Sequence, residues 1–245
     1  VVGVGDNAYE SAGCWTNRFS SLRNANKLNS AYGNHEYSES GGISPYKTFF
    51  GHSLTYFTFK FQNVQFFVCD TNINCDPGSN QHNFITNALE QSQNDNTIKW
   101  RVGIMHDPWF GANSDHGYNS AEQVEAFHDL FVQNGVQLVC TGHNHNWQAT
   151  KQVSFNESNP ESPTVVDSSS PYSKTAAGLI HIVTGTGGHD SGGSLYSLGS
   201  QPSFQAYQNR THNGVFEIVA SSSGTVWTCS FVEIGGAKFN TFVIS

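Results

Sequence analysis

Short apolar stretches recur along the chain, and several of them end at a glycine or a polar residue. We predict strands where apolar residues run together or alternate over about four to eight positions. The segments that meet this criterion are residues 1–4, 54–61, 64–69, 100–105, 136–140, 179–183, 215–219, 226–231 and 239–244. A turn beginning at Asn63 separates the second and third segments, which predicts a hairpin.

Three other segments carry apolar side chains at the three- and four-residue spacing of a helix. We predict these helices at residues 17–29, 80–93 and 120–133. Residues 152–177 are rich in Ser, Pro, Asn and Glu, and they are predicted to form a long surface loop. Residues 34–37 are predicted to form a short polar loop.

The order of these elements indicates the fold class. Strands alternate with helices in the first half, and a run of strands follows, which predicts an α/β fold with two packed mixed sheets flanked by helices. The length of 245 residues suits a single domain, residues 1–245. Because the chain opens on an apolar run without a Met, we expect that an amino-terminal strand unit precedes Val1.

The amino-acid composition weighs against some classes of function. Charged residues make up 12% of the chain, about half the usual share of roughly 25%. The net charge is -8 and the few Lys and Arg are scattered, which weighs against a protein that binds nucleic acid. No apolar run reaches the length of about 18 residues that a transmembrane helix needs, so no membrane span is predicted.

Cysteines and glycosylation sequons bear on the cellular compartment. Cys69 and Cys75 enclose a short turn-rich loop and are a candidate disulfide pair, whereas Cys140 lies in an apolar run and is predicted to be a buried thiol. Asn156 and Asn209 each begin an N-glycosylation sequon. Together with the low charge, these features favour a secreted or extracytoplasmic location.

Polar residues follow the carboxyl ends of three predicted strands. Asp6, His106 and His143 each lie just past such a strand, and Asn34 lies in another loop. In open α/β sheets, ligands bind at this edge, so these loops are expected to converge. Taken singly, each loop also fits an ordinary turn or a buried histidine. The pair His143 and His145 has the spacing to chelate one or two cations.

Four segments in this order carry a resemblance to a known family. They are GDNAY at 5–9, GNHE at 33–36, IMHDPW at 104–109 and TGHNHNW at 141–147. The set resembles the calcineurin-like metallophosphoesterase superfamily, whose fold is an α/β/β/α sandwich. Tyr9, three residues after Asp6, resembles the purple (tartrate-resistant) acid phosphatase branch. GTGG at 185–188, with His189 and Asp190 after it, also resembles a loop near the site in these proteins.

The resemblance implies a centre of two metal ions. Asp6 would bridge both ions, and Tyr9 and His145 would bind the first ion, Fe(III). The second ion would be a divalent Fe, Zn or Mn. The full set of metal ligands that the resemblance implies is Asp6, Tyr9, Asn34, His106, His143 and His145.

The resemblance also implies a reaction, the hydrolysis of a small phosphate monoester by a metal-bound hydroxide. His35 would contact the phosphoryl group or protonate the leaving oxygen, and Glu36 is expected to orient His35. His116 resembles a substrate-facing histidine. The family's first motif, an Asp-x-Gly or Asp-x-His loop that supplies one more carboxylate, is absent from this chain. We expect it upstream of Val1, and the alternative is a protein that lacks this ligand.

Two other functions stay open at this point. The same centre serves phosphodiesterases and nucleotidases, because substrate choice lies in loops outside the motifs. A structural or binding module that keeps the fold without turnover is the second alternative, and a metal analysis separates it from an enzyme. The sequence carries no signal for the oligomeric state.

Overall fold

Helices and strands alternate along the first part of the chain, and strands dominate the rest. The computed structural model describes residues 1–9, 11–39, 41–112, 121–175, 177–187 and 197–245. Its helices are α1 (Ala12–Asn24), α2 (Asn34–Ser38), α3 (Ser44–Phe50), α4 (Asn80–Asn94) and α5 (Ala121–Gln133). Its strands are β1 (Val2–Val4), β2 (Asn29–Ala31), β3 (Phe57–Phe61), β4 (Val64–Val68), β5 (Trp100–Ile104), β6 (Leu138–Thr141), β7 (Trp147–Thr150), β8 (Gln152–Ser154), β9 (Thr164–Asp167), β10 (Ile180–Thr184), β11 (Gln205–Asn209), β12 (Gly214–Ala220), β13 (Trp227–Glu233) and β14 (Lys238–Ile244).

A seven-stranded mixed sheet, in the order β11-β7-β10-β6-β5-β4-β3, forms the centre of the fold. Strands β4, β5, β6 and β10 run parallel to one another, so their carboxyl ends meet at one edge of the sheet. The predicted hairpin is confirmed, because β3 pairs antiparallel with β4. Separate from this sheet, β1 pairs in parallel with β2, and β12, β13 and β14 form an antiparallel sheet.

The two larger sheets pack face to face around an aromatic core. Trp100 of β5 and Trp227 of β13 stack with their ring centroids 3.9 Å apart. Trp147 of β7 stacks on Phe231 of β13 in the same layer, and Ala31 of β2 belongs to the same buried cluster. The predicted arrangement of two packed sheets is therefore confirmed.

Helices α4 and α5 cover the other face of the seven-stranded sheet. Ile85 and Leu89 of α4 and Phe127 and Phe131 of α5 are buried in one cluster with Phe67 of β4. A third cluster joins α1 and α3 through apolar and aromatic side chains around Tyr32, Tyr46 and Phe50. Among the described residues, no helix has both the length and the apolar character to cross a bilayer.

Several predicted boundaries are wrong. The first helix spans Ala12–Asn24 rather than 17–29, because Ser11 caps it by accepting a hydrogen bond from the Cys14 backbone N–H at 3.3 Å. Residues 34–37 belong to helix α2 and not to a loop. The predicted surface loop at 152–177 contains the antiparallel pair β8 and β9, and Val153 in it is fully buried.

The predicted disulfide between Cys69 and Cys75 is also wrong, since both are free thiols. Cys69 extends the parallel ladder beyond β4, and its N–H donates to the Ile104 carbonyl at 2.9 Å. Both sulfur-bearing side chains pack as apolar groups in the cluster beneath α4 and α5. Cys140 is a buried free thiol, as predicted.

Candidate metal centre

The candidate ligands gather where the seven-stranded sheet meets the β1–β2 pair. Asp6 follows β1, and Asn34 begins α2 shortly after β2. His106 and His143 lie two residues beyond β5 and β6, at the carboxyl ends of parallel strands. The edge of the sheet that the sequence singled out is therefore where these side chains meet.

Four potential ligand atoms form the inner part of the site. His106 Nε2 lies 3.2 Å from Asp6 Oδ2, 3.1 Å from Asn34 Oδ1 and 3.2 Å from His143 Nδ1. His143 Nδ1 also lies 3.2 Å from Asn34 Oδ1. The ligand atoms of Asp6, His106 and His143 all lie within 4.8 Å of one another, a spacing with which they could hold a metal ion.

The backbone fixes which nitrogen of His106 faces this cluster. His106 Nδ1 lies 2.8 Å from the Val4 carbonyl oxygen, which accepts hydrogen bonds and cannot donate them. The proton of the neutral ring is therefore on Nδ1, and the Nε2 lone pair points at the other ligand atoms. A backbone carbonyl is a common partner for the second nitrogen of a metal-binding histidine.

Charge in the inner cluster also fits a cation. Burial raises the pKa of Asp6, but the hydrogen bond with His106 and its charge outweigh burial and hold that pKa below its usual value. Burial lowers the pKa of His106, but the hydrogen bond and charge of Asp6, together with Asp107 and the Val4 carbonyl, raise it, and the net shift is upward. Both shifts favour positive charge beside the Asp6 carboxylate, where oxygen and nitrogen lone pairs crowd together. A metal ion would supply such charge, and its binding requires a deprotonated Asp6 and a neutral His106.

A second group of side chains extends the cluster outward. Tyr9 Oη lies 2.9 Å from His145 Nε2 and 3.4 Å from Asp6 Oδ2. Asp6 Oδ2 thus contacts His106 on one side and Tyr9 on the other. This arrangement gives two neighbouring groups of ligands that share one carboxylate.

The site has a buried floor and an open rim. The side chains of His106 and Asp6 are 1% and 8% exposed, whereas Tyr9 is 46% exposed. His35 lies at the rim, with its ring centroid 4.4 Å from that of Tyr9, and its backbone N–H donates to Asp6 Oδ1 at 3.0 Å. A small molecule can therefore reach the cluster from solvent beside His35.

Two of the site residues have an unusual backbone conformation. Asp6 and His143 have φ values of 50° and 59°, in the left-handed region that most side chains avoid. Such conformations cost about 1–3 kcal/mol each and are concentrated at functional sites. Glycine would adopt them without strain, so a ligand-type side chain at both positions favours a functional requirement over a structural one.

The structure brings all six predicted ligands together and places His35 beside them. His116, Gly188, His189 and Asp190 lie outside the described residues. The expectation that Glu36 orients His35 is wrong, because the Glu36 carboxylate instead accepts backbone N–H groups of neighbouring loops.

Asp107 is a residue of the site that the sequence analysis missed. Its Oδ1 lies 3.6 Å from His143 Nδ1, and its side chain is only 9% exposed. The available signal was its position directly after His106 in the IMHDPW segment. A buried carboxylate beside His143 adds negative charge to the group of ligands around His106.

The first 147 residues of the chain match a known protein family. The family model described as calcineurin-like phosphoesterase matches residues 1–147. Purple acid phosphatase 18 of Arabidopsis thaliana is 24% identical over 185 residues, which cover 75% of this chain and 38% of that protein. The chain therefore spans well under half the length of this relative.

Two solved structures have a similar fold. A purple acid phosphatase from seeds of yellow lupin (Lupinus luteus) matches 100% of this chain and 46% of its own, with a TM-score of 0.76 and 18% identity. GAP50, the anchor in the inner membrane complex of Plasmodium, matches 98% of this chain and 76% of its own, with a TM-score of 0.64 and 13% identity. At these identities the likeness concerns the fold alone.

Proposed function

Since the chain belongs to the calcineurin-like phosphoesterase family, we propose that it hydrolyses phosphate monoesters with a pair of bound metal ions. The observation that carries this proposal is the position of Asp6 Oδ2. It lies 3.2 Å from His106 Nε2 and 3.4 Å from Tyr9 Oη, between two groups of ligand-type atoms. A carboxylate shared in this way suits a bridge between two cations. We further infer that residues 1–245 act as one catalytic domain.

The donor atoms suggest which metal each half would hold. Tyr9 and His145 would bind one ion with Asp6, and a phenolate favours a strongly acidic cation such as Fe(III), because the ordinary pKa of tyrosine is about 10. Nitrogen and amide oxygen ligands suit a divalent Fe, Zn or Mn. These would come from Asn34, His106 and His143. When bound, a metal pair supplies Lewis acidity to a phosphoryl oxygen and lowers the pKa of a water molecule.

The chain's own side chains have three further tasks in this proposal. His106 keeps its Nε2 lone pair directed into the site through its hydrogen bond to Val4. Asp6 is held in place by the His35 backbone N–H. The His35 ring stands at the exposed rim beside Tyr9, where it donates a proton to the leaving oxygen of the substrate.

The open rim supports a small phosphorylated substrate. The preference for monoesters rests on the likeness to purple acid phosphatases, and a phosphodiesterase or nucleotidase would use the same ligands. GAP50 has a similar fold and is described as an anchor, so a non-catalytic role is the other alternative for this chain.

One set of measurements distinguishes these functions. The metal-free protein is loaded with Fe, Zn or Mn, its metal content is measured, and hydrolysis of p-nitrophenyl phosphate is compared with that of bis(p-nitrophenyl) phosphate. We expect two ions per chain and faster hydrolysis of the monoester. Asp6→Asn and His143→Ala should each lower kcat/KM by at least about 100-fold, because each removes a proposed metal ligand and even loss of the groups that support such ligands costs about 10- to 100-fold. His82→Ala, on α4 away from the site, should retain activity.

Each contrary result has a clear meaning. A faster diester reaction would replace the monoester proposal with a phosphodiesterase. A protein that binds no metal and has no activity would indicate a structural module. Activity that survives both Asp6→Asn and His143→Ala would rule out this site as its source.

We also propose that the protein works outside the cytosol. The sequon asparagines Asn156 and Asn209 are both partly exposed, and Asn209 Oδ1 accepts hydrogen bonds from Thr211 of its own sequon. After passage through a eukaryotic secretory pathway, glycosidase treatment should lower the apparent mass. This change should disappear in the double variant Asn156→Gln, Asn209→Gln, and an unmodified secreted protein would contradict the assignment of the sequons.

A further inference from the structure

The Glu36 carboxylate connects the loop that carries Asp6 with the loop that carries Asn34. Its Oε2 accepts the backbone N–H of Asp6 at 3.0 Å and that of Gly33 at 2.5 Å. Its Oε1 accepts the backbone N–H of Asn7 at 2.5 Å. The side chain is completely buried, so water does not compete for these bonds.

Only one of these three bonds is explained by helix capping. Glu36 is the third residue of α2, and a Glu at this position commonly accepts the N–H of the residue that caps the helix, here Gly33. Asp6 and Asn7 lie 30 and 29 residues away in the chain, beyond strand β2 and helix α1. The bonds to them have no role in forming α2, and they act on the Asp6 loop.

The Asp6 loop has a conformation that requires such support. Asp6 has a left-handed backbone with a φ of 50°, and the Glu36 carboxylate binds its N–H and the next N–H along the chain. The two loops also touch directly, because a Cβ at Gly33 would collide with the Asp6 carboxylate and lie 2.6 Å from its backbone nitrogen. The Glu36 carboxylate therefore joins two loops that are already in direct contact.

We propose that Glu36 is a positioning residue that preorganises the metal centre by holding Asp6 in its left-handed conformation before any metal binds. The Asp6 carboxylate then presents Oδ2 to His106 and Tyr9, while Oδ1 accepts the His35 N–H. Because the Glu36 carboxylate also accepts the Gly33 N–H, it holds the neighbouring Asn34 in a fixed position relative to Asp6. This inference rests on the proposed metal centre, but it concerns the order of events at the site and not the substrate.

Hydrogen exchange of the unmodified protein tests the proposal without any assay of activity. Amide exchange is measured for the metal-free protein and for the protein with Zn²⁺. If Glu36 preorganises the loops, the amides of Asp6, Asn7 and Gly33 are already protected in the metal-free protein, and Zn²⁺ adds little. If these amides exchange freely until Zn²⁺ is added, the metal orders the loops and the proposal is overturned.

The variant Glu36→Gln provides the second test, because it keeps the size of the side chain but replaces one acceptor oxygen with a donor NH₂ group. We expect the Kd for Zn²⁺ to rise by about 10- to 100-fold, the range seen when groups that support metal ligands are removed. The fold, followed by circular dichroism, should be retained. An unchanged Kd in a folded variant would contradict the proposal, and if the variant does not fold, the exchange experiment decides alone.

A matched control separates positioning from general stability. Gln137 is also buried and also accepts a backbone N–H, that of Arg101 at 2.9 Å, but it precedes β6 at the opposite end of the sheet. Gln137→Ala should lower the unfolding midpoint and leave the Kd for Zn²⁺ within twofold of the parent. Equal losses of Zn²⁺ affinity in both variants would show that Glu36 acts only through stability. Intact Zn²⁺ binding and preorganised amides without phosphatase activity would contradict the proposed function and leave this inference standing.

Discussion

The His106 imidazole donates a hydrogen bond from Nδ1 to the carbonyl oxygen of Val4, over a distance of 2.8 Å. His106 follows β5 of the seven-stranded sheet, whereas Val4 ends β1 of the separate parallel pair. The bond therefore joins the seven-stranded sheet to the β1–β2 pair at the candidate metal centre and selects the tautomer with a free Nε2. It follows that the geometry of the centre depends on how these two sheets pack.

The stack of Trp100 on Trp227 is a main contact between the two larger sheets, and Trp227 is 2% exposed. We predict that Trp227→Ala lowers the free energy of unfolding by about 3–5 kcal/mol, the usual cost of removing a large buried aromatic side chain. Trp227→Phe should cost less, because it keeps an aromatic ring on Trp100. Urea unfolding followed by circular dichroism measures both values. Small and equal losses of unfolding free energy in the two variants would mean that the stack contributes little to stability.

His35 stands at the rim of the site, and we predict that His35→Gln lowers kcat by about 10²- to 10⁴-fold, the typical contribution of a general acid. The loss should be larger for phenyl phosphate than for p-nitrophenyl phosphate, since the poorer leaving group depends more on protonation. Metal content should not change, because the His35 ring is not among the proposed ligands. The same loss for both substrates would argue against a proton donor.

Tyr9 Oη lies 2.9 Å from His145 Nε2, and the proposed first metal is ferric iron bound by the Tyr9 phenolate. We predict a visible charge-transfer band in the iron-loaded protein that disappears completely in Tyr9→Phe. Tyr56→Phe, at a buried tyrosine that packs against Phe84, is the control and should keep the band. A colourless but active protein loaded with zinc or manganese would contradict the ferric assignment.

The elements predicted most accurately are those whose pattern of apolar residues has a single physical cause. Strands β5 and β6 are apolar because they are covered on both faces, and a polar ligand follows each of them. Helices α4 and α5 begin and end within one residue of the prediction, since each has one apolar face on the sheet. The convergence of the loops after β5 and β6 could be predicted because parallel strands of one sheet end at the same edge. The same holds for the loops after β1 and β2, whereas the meeting of the two pairs depends on how their sheets pack.

Strand β7 was missed because two of its four buried residues, Gln148 and Thr150, are polar. Gln148 and Thr150 are 1% and 3% exposed, so a hydrophobic pattern does not reveal this strand. The Gln148 side chain is satisfied inside the protein, where it accepts the Ala112 N–H at 2.6 Å and a hydrogen bond from Gln205 at 2.8 Å. Such partners lie far apart in the chain and follow from tertiary structure alone.

At the candidate site, too, contacts between residues far apart in the chain could not be predicted from the sequence. Motifs identified the ligand-type side chains, but they gave Glu36 a role beside His35 that the structure does not support. Its actual partners, Asp6 and Asn7, lie about 30 residues earlier, and no local pattern connects them to Glu36. The contact of Asp107 with His143 was missed for the same reason, since it forms between loops after two different strands.

Two buried histidines lie behind the site and bear on stability in acid. His128 is fully buried, with Trp109, Phe110 and Phe155 around its ring. His181 is 1% exposed and accepts the Trp109 backbone N–H through Nε2 at 3.2 Å. Burial lowers the pKa of His128 to about 4 and that of His181 to about 3. Both rings are therefore neutral in the folded protein over a wide range of pH.

The unfolded chain takes up protons on these histidines near its ordinary pKa of about 6.5, well before the folded chain does. Their contribution to stability is therefore fully present above about pH 6.5, and it is lost as the pH falls towards about 4 and 3. We predict that His128→Leu makes the urea midpoint less sensitive to pH between 7.5 and 4.5. The control is Phe131→Leu, which removes buried volume from the apolar cluster of Trp109 and Phe110 but changes no titratable group. It should lower the urea midpoint equally at both pH values. If His128→Leu keeps the parent's full dependence on pH, His128 does not limit stability in acid.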